Sequence, residues 1–149
     1  MATPSFGASE VPTRSIKALP PSTAKHLGSS QVLVDPSSVV KELVENSLDA
    51  RAMAVFVEIS ANTIDIIQVR DNGHGIPPHD RPLVCRRYCT SKIRDFDDLK
   101  EVGGKWLGFR GEAMASLAEL SGSLRITTRV EGEPVASLLR IGTSGEIQE

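Results

Sequence analysis

The sequence predicts an α+β fold, a two-layer sandwich with a mostly antiparallel sheet and helices on one face. Three observations predict it. Two pairs of segments rich in β-branched residues, 54–60 with 64–70 and 124–130 with 135–141, are each joined by a short turn, as antiparallel hairpins are. Helix-forming stretches separate the hairpins, giving the order helix, hairpin, helix, loop, helix, hairpin. The chain lacks both the strand–helix–strand alternation of a parallel sheet and the G-x-x-x-x-G-K-[ST] phosphate loop.

Each element has its own local cause. Residues 1–14 are small, polar and proline-containing and read as a disordered tail, with one domain expected over 15–149. Residues 16–19 form a short apolar run stopped by Pro20-Pro21, and 22–27 fit a helical turn ended by Gly28-Ser29-Ser30. Asp35-Pro36 is an N-cap acid followed by proline at the first helical position, opening a helix that runs to about Asp49. Ala61-Asn62-Thr63 turns the first hairpin. Residues 71–78 are a glycine- and proline-rich loop, and 80–88 are expected to be helical despite Pro82. A polar segment ends in Gly103-Gly104-Lys105-Trp106-Leu107-Gly108. A helix over 111–120 stops at Ser121-Gly122, and Glu131-Gly132-Glu133-Pro134 turns the last hairpin.

Composition narrows the class. Among 149 residues only 4% are aromatic, so the core must be mainly aliphatic. A net charge of −2 argues against a chain that coats nucleic acid electrostatically. Residues 81–110 nevertheless carry eight basic against four acidic side chains. No apolar run approaches the roughly 20 residues that cross a bilayer. The chain opens without an apolar signal-peptide core, and two cysteines do not make a disulfide framework, so a reducing intracellular compartment is expected. Cys85 and Cys89 read as core thiols rather than half of a zinc site.

Three stretches could carry chemistry. In V-V-K-E-L-V-E-N-S-L-D-A, residues 39–50, Val39, Val40, Leu43 and Val44 make one apolar stripe. Glu42, Asn46 and Asp49 stack along its edge at i, i+4, i+7, roughly 5–6 Å apart at Cβ. Two carboxylates there repel one another unless something positive or hydrogen-bonding lies between them. One candidate is Mg²⁺ with a bound nucleotide, since magnesium takes few protein oxygens and keeps water and phosphate oxygens. Asn46 would then supply a neutral oxygen, and Glu42 could take a proton from an attacking water. An ordinary solvated helix edge is the other reading.

The second stretch is D-N-G-H-G-I, residues 71–76. Its D-x-G-x-G pattern sets an acceptor carboxylate beside two residues that let a flat ligand approach the backbone. Asp71 could accept from an adenine amino group, whereas guanine would present a second acceptor. The same residues also make a simple turn bent at Asn72-Gly73. In the third stretch, Gly108-Phe109-Arg110-Gly111 runs into a helix whose free N–H groups suit phosphate. Thr90-Ser91-Lys92 adds two hydroxyls and an ammonium. With Gly103-Gly104 the segment could close as a lid. A flexible linker before a core helix anchored by Trp106 or Phe109 is the alternative.

Taken in order, E-x-x-x-N-x-x-D-A, D-x-G-x-G, T-S-K-I and G-F-R-G-E-A-M-A-S-L resemble the N-terminal ATPase region of MutL-type DNA mismatch repair proteins, the eukaryotic PMS-like members among them. The likeness covers roughly residues 16–147. It implies the GHKL (Bergerat) fold shared with gyrase, heat-shock chaperones and histidine kinases, here C-terminally incomplete. It implies ATP and Mg²⁺ as cofactors, Glu42 as general base and Asn46 as magnesium ligand. Asp49 and Ala50 become pocket wall, and Asp71 the adenine carboxylate with Gly73 and Gly75 beneath the base. Thr90, Ser91 and Lys92 fall in the lid region. Gly108, Phe109, Arg110 and Gly111 match its phosphate-contacting end. It further implies lid closure, dimerisation with another MutL homologue, a MutS-type mismatch recognition partner, weak non-specific DNA contact and a nuclear location, with no membrane. Two stretches depart from the family pattern. Residues 28–32 read G-S-S-Q-V where many members carry an A-G-E-V-type segment, and the lid end around residues 102–107 is longer than usual. ATP hydrolysis is expected of the full-length protein. A catalytically inactive nucleotide- or partner-binding fragment is the alternative for this chain.

Overall fold

The structure, a computed structural model, describes residues 15–27, 35–62, 65–95, 97–98, 106–108 and 111–148. The expected tail over 1–14, most of the glycine segment before Trp106, and Phe109 and Arg110 lie outside the described residues.

Strand β1 (Lys17–Ala18) and helix α1 (Pro21–Leu27) precede the long helix α2 (Pro36–Asp49). The carboxylate of Asp35 caps α2 by accepting the Ser38 N–H at 2.8 Å. The hydroxyl of Ser37 is the chief reason that carboxyl is held below its ordinary range. Pro36 begins the helix where a missing N–H does no harm. At the other end Arg51 adopts φ 61°, in the left-handed region, and reverses the chain into β2 (Val55–Ile59). β2 pairs antiparallel with β3 (Ile67–Asp71) in the register Val57↔Val69. β3 begins later than the pattern suggested. The Ser60 N–H donates to the Ile66 carbonyl, which closes a longer connection than the three residues expected.

Residues 80–88 are not an α-helix. Only a 3₁₀ turn forms, Arg81–Leu83, and the bonds beyond it also run i to i+3: Val84 to Arg81, Arg86 to Leu83, Cys89 to Arg86. Pro82 offers no N–H of its own, and Tyr88 at φ 58° leaves the helical region altogether. The chain then enters β4 (Cys89–Thr90), which pairs with β1.

Helix α3 (Ala113–Leu120) follows, then β5 (Leu124–Thr128), β6 (Ser137–Ile141) and β7 (Ile147–Gln148) in one antiparallel sheet. β7 was not foreseen. The core is aliphatic, as composition required. Cys85, Ala118, Leu139 and Ile141 are buried together, with Val84, Met114, Leu124 and Ile126 packed around them. Burial pushes the Cys85 thiol up to about 12, so it behaves as a small apolar group. Thus α3 covers the β5–β6 face while α2 lies on β2–β3. The antiparallel α+β architecture is the one expected, with the described strands divided among three small sheets. Among the described residues no helix is long and apolar enough to cross a membrane.

Candidate functional site

The edge of α2 carries two largely buried carboxylates. The side chain of Glu42 is 13% exposed and that of Asp49 is 7% exposed. The ammonium of Lys92 answers one of them, Asp49. It donates to Asn46 Oδ1 at 3.1 Å and to Asp49 Oδ2 at 2.5 Å. Asp49 also accepts the backbone N–H groups of Leu107 (3.0 Å) and Gly108 (3.3 Å). A Cβ on Gly108 would stand 3.5 Å from Lys92 Nζ and 4.0 Å from Glu42 Oε2. Glu42, Asn46, Asp49, Lys92 and Gly108 therefore meet in one place, although the last two lie far along the chain from the helix. On the outer side of α2, Lys41 reaches Glu45 at 2.8 Å and lies 3.9 Å from Glu42; its ammonium titrates above the usual lysine range, chiefly through the Glu45 hydrogen bond.

Lys92 owes its position to β4. Buried Thr90 turns its hydroxyl inward and accepts the Lys92 N–H at 3.1 Å, with half-buried Ser91 between them. Gly111, at φ 67°, lies so close to Cys89 that a Cβ would come within 2.5 Å of the Cys89 carbonyl oxygen. Its own carbonyl accepts the Tyr88 N–H at 2.9 Å. These contacts bring the T-S-K stretch and the second glycine stretch together.

Asp71 ends β3 and is fixed twice. Oδ1 accepts the Gly73 N–H at 2.8 Å, and Oδ2 accepts the Ser47 hydroxyl at 3.1 Å. Ser47 is the residue after Asn46, so the glycine loop is bonded to the same helix that carries Glu42 and Asn46. Gly73 lies against the end of that helix, where a Cβ would sit 2.7 Å from the Ala50 carbonyl oxygen. Gly75 faces elsewhere. At φ 74° it lies against Arg129, beyond β5, and an added Cβ would strike the Arg129 carbonyl oxygen. A cleft of about 580 Å³ lies among Arg51, Asn72, His74 and Arg129, and meets the predicted site only at Ala50 and Gly73.

Sequence reasoning missed the residues that hold these loops. Ser47 was one more polar position on a helix. Asn72 was read as a bend, yet its side-chain oxygen Oδ1 accepts both the Met53 and Ala54 N–H groups, at 2.8 and 2.9 Å. Buried Thr128 accepts the Ile76 N–H at 2.8 Å. Buried Arg81 donates to the Ile76 carbonyl, to Ser137 and, through two hydrogen bonds, to Glu133. Apart from those of Asn72 and the bond from Arg81 to Ile76, these partnerships span at least 24 residues, and no local spacing announces them.

Comparison with known proteins identifies the family. The profile of the histidine kinase-, DNA gyrase B- and HSP90-like ATPases matches residues 34–146, and the chain belongs to that family. Its similarity to the DNA mismatch repair protein MutL of Halothermothrix orenii is 47% identity over 126 residues, covering 85% of this chain and 19% of that protein. To MutL of Shewanella piezotolerans it is 45% over 121 residues, 81% of this chain and 19% of that protein. A crystal structure described as the N-terminal domain of a DNA repair protein superposes with a TM-score of 0.63 at 32% identity, over 80% of this chain and 32% of that one. Within its family the chain is thus of the MutL type, an N-terminal ATPase region. It spans about a fifth of the length of these MutL relatives.

Proposed function

We propose that the chain builds the Mg²⁺–ATP pocket of a DNA mismatch repair ATPase. Glu42 is its general base, Asn46 its magnesium ligand and Asp71 its adenine reader. One observation carries this reading: Asp71 is bonded through Ser47 to the same helix whose edge presents Glu42 and Asn46. The donor set suits magnesium, because Asn46 Oδ1 and Asp49 Oδ2 already converge on one cation, the Lys92 ammonium. When bound, Mg²⁺ neutralises phosphate charge and orients the terminal phosphate.

The chain's own residues do the rest. Asp71, held by Ser47 and the Gly73 amide, keeps lone pairs for an exocyclic amino group and repels a guanine carbonyl. Gly73 and Ala50 form the wall beside it, and Gly75 tightens the turn. Glu42 accepts the proton of the attacking water. Thr90, Ser91 and Lys92 belong to the lid region, and Gly108 and Gly111 to its phosphate-contacting end; Phe109 and Arg110, assigned to that end by the resemblance, lie outside the described residues. Lid closure, pairing with a second MutL homologue, engagement of a MutS-type protein and of DNA, and a nuclear location complete the proposal for the full-length protein.

Steady-state ATP turnover by the parent chain and by Glu42→Gln tests the catalytic part. Loss of general-base catalysis is expected to slow turnover on the order of 100-fold or more, with ATP affinity retained. A second reading, nucleotide binding without turnover, is favoured by the contact of Lys92 with the Asn46 oxygen. It expects the same background rate from both chains, and that result would end the enzymatic claim for this chain.

A further inference from the structure

We propose that Lys92 is a tethered placeholder for the divalent cation. Its ammonium stands where Asn46 and Asp49 converge, keeps bare metal out, and yields the position only when metal arrives with a nucleotide. The idea rests on reading this site as a Mg²⁺–nucleotide pocket, and asks what stabilises the pocket before anything enters it.

The argument begins with charge. Glu42 and Asp49 are each more than four-fifths withdrawn from water at the side chain, and nothing basic on α2 faces Asp49. Without Lys92 the Asp49 carboxylate would have no cation in a poorly solvated place, which folded proteins avoid, whereas Glu42 has Lys41 at 3.9 Å. Lys92 supplies the cation from outside the helix. It contacts the carboxamide and the carboxylate together, as a metal ion held by these two oxygens would.

The placement is built into the fold. Thr90 fixes the Lys92 backbone, β1 pairs with β4, and Gly111 closes on Cys89. Only the four-carbon stem of Lys92 retains freedom, so the ammonium can withdraw while its backbone stays seated. A divalent ion alone gains two protein oxygens by displacing it. An ion carrying phosphate oxygens brings most of its own ligands. The exchange therefore favours metal delivered with nucleotide. Asp49 also holds the Leu107 and Gly108 amides, so the same exchange changes the partners of the loop that enters the phosphate side.

Mn²⁺, read by electron paramagnetic resonance without nucleotide, tests the placeholder. Lys92→Met should bind Mn²⁺ at least tenfold more tightly than the parent, and adding Asp49→Asn to that variant should remove the gain. Lys92→Gln keeps a hydrogen-bond donor towards Asp49 and should show the same gain, which covers the case in which the Met variant fails to fold. Equal Mn²⁺ affinity in the parent and the folded variants would overturn the proposal. Calorimetric titration of the parent with Mg²⁺–ATP runs beside it. Failure there refutes the nucleotide pocket itself, whereas binding there with no Mn²⁺ gain refutes only the role of Lys92.

Discussion

Ser47 is the one buried residue of α2, and it is polar. Its hydroxyl lies 3.1 Å from both the Leu43 carbonyl and Asp71 Oδ2, so one proton is shared between the helix and the glycine loop. A hydrogen bond to a charged acceptor contributes about 1.5–3 kcal/mol, more than a neutral pair. Ser47→Ala leaves Asp71 with the Gly73 amide alone. The variant should lose about 1–3 kcal/mol of stability in urea unfolding. If Asp71 reads adenine, ATP affinity should fall by roughly 5–100-fold, since each 1.4 kcal/mol is tenfold. An unchanged affinity in a destabilised variant would detach Asp71 from the base. Alanine fits the space, so any loss reflects the missing hydroxyl rather than a clash.

Among elements, the glycine loop depends on the second hairpin as much as on α2. Both backbone groups of Ile76 are bonded to side chains, the N–H across the molecule to Thr128 and the carbonyl to Arg81, five residues on. Arg81 is itself held by Glu133, 2.6 Å away in the β5–β6 turn. That contact, followed by the Val130 amide, keeps the Glu133 carboxyl below the ordinary glutamate value of 4.5. A carboxyl whose folded pKa is depressed stabilises fully above the unfolded value, and the contribution fades as pH falls through the folded one. Melting temperatures of the parent and Glu133→Gln should therefore differ at neutral pH and converge below about pH 4.5. A gap that persists undiminished to pH 3 would assign the difference to packing. The contrast between legible and hidden elements follows the range of their causes. Asp35-Pro36 starts α2 by contacts within three residues, and β-branched runs with turn residues make both hairpins; these could be read directly. The 3₁₀ turn at Arg81–Leu83 could not, because a helix was expected over 80–88, while Pro82 and the long-range bonds of Arg81 to Ser137 and Glu133 decided otherwise. In the site, the edge of α2 was legible as i, i+4, i+7 spacing. The pairing of Lys92 with it was not, since Lys92 is 43 residues from Asp49 and the contacts that seat β4, to β1 and to Gly111, are themselves long-range.

At the scale of the whole molecule, apolar surface is distributed unevenly. The buried cluster lies under α3 and β5–β6, whereas Phe56 (64% exposed), Val57 (43%), Ile59 (42%) and Ile66 (60%) meet solvent on and beside β2–β3. Successive strand residues point to opposite faces, so Phe56 and Val57 mark both faces of the hairpin as apolar. A strand pair of that kind belongs in an interior covered on each side. α2 covers part of one face, and Arg70 approaches the Phe56 ring at 6.0 Å on the other. A two-stranded hairpin with exposed apolar side chains, whose edges carry no further strand among the described residues, tends to pair with another copy. This chain should accordingly self-associate as its concentration rises. Phe56→Thr combined with Ile66→Lys should suppress that association, because the pair removes an aromatic anchor and adds a like charge at the edge. Neither side chain touches Glu42, Asn46, Asp49 or Asp71 in any hydrogen bond or ion pair described, so ATP affinity should stay at the parent value. Sedimentation velocity over a concentration series decides the matter. A parent chain that remains monomeric throughout would mean that the hairpin's apolar faces are too dispersed to act as one surface.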